Sequence, residues 1–577
     1  MTSFTFKTTL FCGLLLLGVA ELFAQETQKL RFNGLGRTTL NNTQYGGDLQ
    51  DSDTTNAARI NDGEFLLDLG INATPNEKNE IQSILRLRNE FGGFFGAGFT
   101  VEVRELWGKG VIANKIRYRA GDMDISQTPF TLYLADEEGM VNEPTIFQPQ
   151  KEIIEYENFF TDDNTRRMQG LKLDFALEVS QVIDEIEFEG YITRVRGTDF
   201  VSVANRFVGG GTVAFKDRKY GRIGLNYVHT FDDLSVGQVP NGIQNPVYTA
   251  DWDLHLWEND NLGLHFKGEA GFSSVQLEED SVIVFEADDN FAEGMVGFDV
   301  KQANVKVDLG FRNVGPDFIT VAAQSKRVDF TRQQRYFNRI GNERFLRAPT
   351  LFDLGRDFQL YTSQISEQLM AYDLRLSNAM PYGRATPNRR GFIANIQYAD
   401  SAQAVNLNVE AAILSEIAGQ GTEELKDFTL IRVASDLNIH KLIDWEKDLV
   451  FTLGLQVEQT SRDGVEVEQV DLSSNLIEAG LEVELFDNFD LLLGTKILNS
   501  EGSDYVPVYD NFNTVIDFPG RTVVDDTELL TAGGFKYRFK EGIYLTAQYQ
   551  TFDFSRATTP ENDYALSQFF ILYTMNF

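Results

Sequence analysis

The chain has 577 residues, a formal charge of −35 and a mean hydropathy of −0.24. That charge excludes nucleic acid as a partner unless a basic patch is segregated. The one cysteine, Cys12, excludes a disulfide framework, a thiolate metal site and a cysteine nucleophile.

Met1 to Ala24 carries Lys7, then the apolar run Leu10 to Ala20, then Leu22-Phe23-Ala24, and reads as a secretory signal peptide. After it no run reaches the ~18 apolar residues that a membrane helix needs. Instead, segments of about ten residues alternate apolar and polar from Lys29 onward, the period of a half-buried strand. Leu171, Leu173, Phe175, Leu177 and Val179 alternate with Lys172, Asp174, Ala176 and Glu178. Val305, Val307, Leu309 and Phe311 do the same, as do Leu449 to Val457 and Ile543 to Tyr549. Twenty-two such segments are readable. Gly98 to Gly108 and Lys115 to Gly121 are the weakest, and Gly315 to Ser325 is ambiguous, so the expected strand number is 18 to 22.

Connector lengths separate a soluble sandwich from a membrane barrel, because outer-membrane barrels alternate short periplasmic turns with longer outside loops. Ten connectors, from Thr74–Asn79 to Lys540–Gly542, are short and occupy every second position. The others include 41–62, 122–165, 232–246, 314–390 and 501–525. The expectation is an all-β, antiparallel, up-and-down barrel spanning residues 25–577 in a bacterial outer membrane. Its first strand, Lys29 to Leu40, begins five residues after the expected cleavage site, so no plug domain is expected. The last strand, Tyr564 to Phe577, puts Phe569, Ile571, Tyr573, Met575 and Phe577 on one face. Tyr573 and Phe577 then form the signal read by the barrel assembly machinery.

Two outside loops have opposite charge. Asp122 to Asn164 holds eleven carboxylates, among them Asp122, Asp124, Asp136, Glu137 and Glu138, against Lys151 alone, a net of −10. Gln324 to Arg390 holds twelve cations against six carboxylates, a net of +6, with Phe330, Tyr336, Phe337, Phe345, Phe352 and Phe358 interleaved. So long a loop with so many aromatics is expected to pack, folding into or over the lumen. Arg327, Arg332, Arg335, Arg339, Arg344, Arg347 and Arg356 would form a basic constriction that selects an anionic or polar solute. The acidic loop would face it, or else bind cations bridging lipopolysaccharide.

Arg117-Tyr-Arg119-Ala-Gly121-Asp122, followed after the long loop by Arg166-Arg167-Met-Gln-Gly170-Leu-Lys-Leu, resembles the alginate-export-type porin family. That resemblance implies that Arg117, Arg119, Arg166 and Arg167 line a conduit, with Arg86 and Arg88 as further lumen residues by alternation. Asp122 and the acids after it depart from an all-basic conduit.

Four histidines, His229, His255, His265 and His440, are the candidates for an outer-membrane hydrolase. His255 and His265 flank one short turn and are the best placed, but lumen solvation explains them more simply. No metal-ligand spacing and no cofactor motif occurs. The function expected is therefore non-enzymatic: passive passage of a small polar or anionic solute, an oligosaccharide included, through a barrel whose surroundings are outer-membrane lipid and lipopolysaccharide. The alternative is an accessory or scaffold subunit of a surface-assembly or secretion machine.

Overall fold

A computed structural model describes residues 29–47, 59–91, 99–161, 164–179, 183–201, 203–234, 241–279, 282–332, 348–509, 515–560 and 563–577. The expected signal peptide and Arg335, Arg339, Arg344 and Arg347 lie outside the described residues. The first eleven strands are β1 Lys29–Gly47, β2 Arg59–Asn76, β3 Asn79–Phe91, β4 Thr100–Ile112, β5 Ile116–Ile125, β6 Arg166–Glu178, β7 Glu185–Arg196, β8 Asn205–Asp217, β9 Gly221–Asp233, β10 Asn241–Glu258 and β11 Leu262–Glu279. The rest are β12 Val282–Val300, β13 Val305–Val314, β14 Arg389–Ala399, β15 Val405–Ser415, β16 Asp427–Asn438, β17 Leu449–Arg462, β18 Val470–Phe486, β19 Phe489–Tyr509, β20 Val515–Lys540, β21 Ile543–Arg556 and β22 Tyr564–Asn576.

Each strand pairs antiparallel with its neighbours in sequence, and β1 pairs with β22 from Leu35↔Asn576 to Gly47↔Tyr564. The sheet is thus one closed barrel of 22 strands, and closure leaves no long free edge. Phe577 continues the seam, donating to Gly34 O at 3.1 Å and accepting from Gly34 N at 2.9 Å. Both weak segments form strands, β4 and β5. Residues 315–325 do not, and hold only the short helix α2, Val321–Gln324.

The apolar face of the alternation points outward. Leu309, Phe392 and Ile413 are 51, 69 and 67% exposed, and Leu171, Leu173, Leu177, Phe311 and Phe569 join them on the outer surface. An outer surface so apolar over so many strands belongs in hydrocarbon, and the barrel is of the bacterial outer-membrane type. All ten short connectors lie at one end, from 77–78 to 541–542.

At the other end, two connections expected as loops are in part ladder. β19 and β20 remain paired as far as Tyr509↔Val515, so most of 501–525 is an extended hairpin. A proline disguised it: the register skips Pro507 between Val506↔Gly520 and Val508↔Asp517, which keeps its ring out of the hydrogen-bond ladder. Likewise β1 runs to Gly47 and β2 starts at Arg59, inside the expected 41–62 loop.

The described parts of connections 126–165 and 315–388 are different, because they turn into the barrel. One apolar cluster joins Leu134, Ile146, Phe147, Leu351, Phe352 and Leu376 from the connections to Leu476, Leu492, Leu530, Phe552 and Leu566 on the inner wall. A second joins Phe130, Leu132, Phe318 and Val321 to Val208, Val228, Val275 and Phe291.

Candidate functional site

The connection after β5 crosses the lumen in two stages. In the first, Gln127 donates to Gly211 O (2.9 Å) and accepts from the Tyr191 hydroxyl (3.0 Å), and Thr128 donates to Glu269 (2.6 Å). Phe130 then stacks on Phe291 with ring centroids 3.9 Å apart. Farther on, Val141 N and Asn142 N both donate to Glu478 Oε2 at 2.8 Å. The wall is cut back to receive this stretch. A Cβ on Gly480 would lie 2.7 Å from Pro144, and one on Gly494 2.6 Å from Ile146.

The second stage is helix α1, Gln148–Asn158. Pro149 opens it, where a missing N–H costs nothing, and Phe159 (φ 57°) ends it. Ile154 buries its side chain in the first apolar cluster. The contacts of α1 with the barrel wall are otherwise mainly polar. Gln150 donates to Gln568 (3.0 Å), Glu152 accepts from Tyr544 (2.7 Å), and the Tyr156 hydroxyl donates to Asp68. Glu157 meets Arg37, Arg86 and Arg88 at 2.6, 2.7 and 2.5 Å. Burial alone would raise the Glu157 carboxyl, but Arg37, Arg86 and Arg88 together hold it down at about 2.

Arg104 of β4 completes this cradle, its guanidinium lying 3.9 Å from the Tyr156 ring centroid and 4.0 Å from that of Phe159. It stands beside the weakest place in the wall. The β4–β5 ladder has six pairs, ending at Trp107↔Gly121, where every other neighbouring pair has nine or more. Gly121 (φ 100°) bends β5 there, and a Cβ on it would strike Leu106 O at 2.3 Å. Above that point Leu106 N donates to the Asp122 carboxylate (2.6 Å) instead of to a strand. Arg167 fills the slit with ion pairs to Glu105 (2.5 Å) and Asp124 (2.8 Å).

The remaining residues singled out from the sequence are pairing groups. Arg166, fully buried, donates to the carbonyls of Tyr133, Ala322, Ser325 and Ser363, tying the two connections together. Arg117 pairs with Asp174, and Arg119 donates to Asp122 O (2.9 Å). Of the expected basic constriction, Arg327 donates to Ala135 O (2.9 Å), Arg332 pairs with Asp329 (3.0 Å), and Arg356 lies over Phe352. These three guanidiniums face carbonyls, a carboxylate and a ring, because the connections must satisfy their own backbone once inside the barrel. Nor does the expected acidic loop face it as a free surface. Asp122 and Asp124 are strand residues of β5, Asp136 accepts from Asn164 (2.8 Å), Glu137 accepts from the Tyr361 hydroxyl, and Glu138 pairs with Lys326. Burial raises Glu138 to about 7, against the pull of Lys326.

Below the connections a cavity of about 1320 Å³ reaches the short-turn end. Its wall presents ten carboxylates, including Asp174, Glu187, Asp251, Glu269 and Asp308, against six cations, Lys115, Arg117, Arg222, Lys267, Arg312 and Arg384. Gln127, Thr128 and Pro129 line it from the connection side. His265 Nε2 lies 3.1 Å from Asp308, which Lys267 also contacts (2.7 Å). Among the described residues no group of three or more metal-ligating side chains comes together.

No family model and no curated protein matches the chain. Solved porins are similar to it in overall form. OccK5 (OpdH) of Pseudomonas aeruginosa is 8% identical, with 95% of this chain and 98% of that one covered and a TM-score of 0.34. A BenF-like porin from Pseudomonas fluorescens Pf-5 is also 8% identical, covering 95% and 99%, at 0.35. OccAB3 of Acinetobacter baumannii is 11% identical, covering 95% and 100%, at 0.33. None of these is named as an alginate-export porin, the type that the Arg117–Leu173 stretch resembles.

Proposed function

We propose that this chain is an outer-membrane channel for a small polar solute, restricted by its two inward connections and preferring cations over anions on the periplasmic side. The observation that supports this reading is the cavity of about 1320 Å³ with ten carboxylates against six cations. A low-dielectric wall carrying an excess of one sign concentrates counter-ions and sets selectivity. The arginines expected to favour anions contribute little to that field where they pair with acids or carbonyls. Planar-bilayer recording in a salt gradient tests it. The wild type should give a cation-selective reversal potential, and Asp251→Asn with Glu187→Gln should move it toward zero. Anion selectivity in the wild type would overturn the reading. The apolar clusters filling much of the lumen favour a second reading, a non-conducting scaffold subunit. Absence of conductance under all salts would select it.

A further inference from the structure

The wall around the end of α1 is built as a binding site. Arg37 and Arg86 are buried, Arg88 lies beside them, and all three converge on one carboxylate. Arg104 offers its flat face to an aromatic ring next to that carboxylate. The four arginines are accompanied on the wall by Glu64 and Asp68, so without Glu157 the cluster carries an excess of two positive charges. Buried cations left in that state demand an anion. In this structure the anion is supplied by the chain itself, as a ring and a carboxylate on adjacent residues, Tyr156 and Glu157.

The surroundings of α1 suit a removable occupant. Besides Ile154, the buried Pro149 and the Tyr156 ring against Arg104, its wall contacts are hydrogen bonds and ion pairs that water or a solute can replace. The wall it covers holds the buried side chains of Thr546, Gln548 and Gln550. Both polar atoms of Gln548, Thr546 Oγ1 and Gln550 Oε1 have no partner among the described residues. Polar atoms left so are characteristic of a seam that admits water.

We propose that the arginine cradle is a binding site for an aromatic carboxylate, that the Tyr156-Glu157 turn is its resident internal ligand, and that a solute of this chemistry displaces α1. The proposal rests on the channel reading only for its consequence, which is that displacement widens the path.

The test uses the full-length chain in detergent micelles. Cys12 is replaced by serine, and Ile154→Cys supplies one buried thiol on α1. The rate of modification by a water-soluble maleimide reports release of the helix. Addition of 4-hydroxyphenylacetate should raise that rate at least about fivefold. Tyramine, with the same ring and an amine, should leave it unchanged. Glu157→Gln should raise the basal rate about tenfold and abolish the response to the acid. An unchanged rate with the acid, or an equal response to tyramine, would refute the cradle. Should Ile154→Cys fail to fold, Asn158→Cys serves as the reporter with the same expectations. In a planar bilayer Glu157→Gln should conduct more than the wild type. Thiol rates that respond while no form conducts would uphold the cradle and remove the channel. A conducting wild type whose thiol ignores the acid would do the reverse.

Discussion

Residues 126–147 and α1 belong to one connection, yet the share of dry packing that holds them differs. The first stretch adds to its hydrogen bonds from Gln127, Thr128, Val141 and Asn142 the dry packing of Phe130, Leu132 and Leu134, all fully buried, and glycines in the wall that make room for Pro144 and Ile146. Helix α1 is held mainly by charges and amides around the buried Pro149 and Ile154. Dry contacts persist until the packing itself fails, whereas polar contacts exchange with water and ligands. One connection can therefore be both a permanent filling and a movable part.

The largest effect should come from emptying the dry end. Phe130→Ala removes a ring stacked on Phe291 and should cost about 3–5 kcal/mol. Denaturant titration in micelles measures it, and proteolysis within 126–147 should appear. Acid should sharpen the contrast by moving the two parts in opposite directions. The folded-state value of Glu138, about 7, lies above its ordinary one. Its contribution is therefore complete below about pH 4.5 and lost as pH rises through 7, by roughly 3 kcal/mol. Glu157 is held at about 2. Its contribution is complete above about pH 4.5 and lost as pH falls toward 2. Limited proteolysis between pH 3 and 8 should thus free α1 at the acid end. It should loosen 126–147 at the neutral end, and Glu138→Gln should remove only the second change. The smallest effect is Gln150→Ala, which loses one buried hydrogen bond to Gln568 and should weaken α1 docking by about 1 kcal/mol. Thiol modification at position 154 is sensitive enough to detect it. Equal responses of both parts to these changes would erase the distinction.

Strand period and turn placement were legible because they are local: Leu171 to Val179 already shows which face meets lipid, and 487–488 can only be a turn. The inward course of the connections was not, although β22 carried a trace of it. Tyr564, Leu566, Phe570 and Leu572 occupy its inward face with Gln568 and Thr574. An inner face that is greasy toward the outside end signals something packed in the lumen. Leu472 and Leu476 on β18 and Phe552 and Phe554 on β21 repeat the pattern. The cradle was hidden for another reason. Arg37, Arg86, Arg88 and Glu157 lie 49 to 120 positions apart in part, and net loop charge cannot reveal which carboxylate meets which guanidinium. Alternation places Arg86 and Arg88 in the lumen, whereas Glu157 reads in the sequence only as one acid among eleven.

The short β4–β5 ladder gives the cylinder a preferred line of failure. Six rungs hold these strands where other neighbours share at least nine, and side chains of Asp122 and Arg167 bridge what backbone does not. Under lateral tension from a thickening or curving bilayer, such a tube yields along its least stitched line first. Amide protons of Thr100 to Glu105 should then exchange sooner than those of β17 or β18. The bilayer's own mechanics would reach the lumen at the point where Arg104 rests between Tyr156 and Phe159.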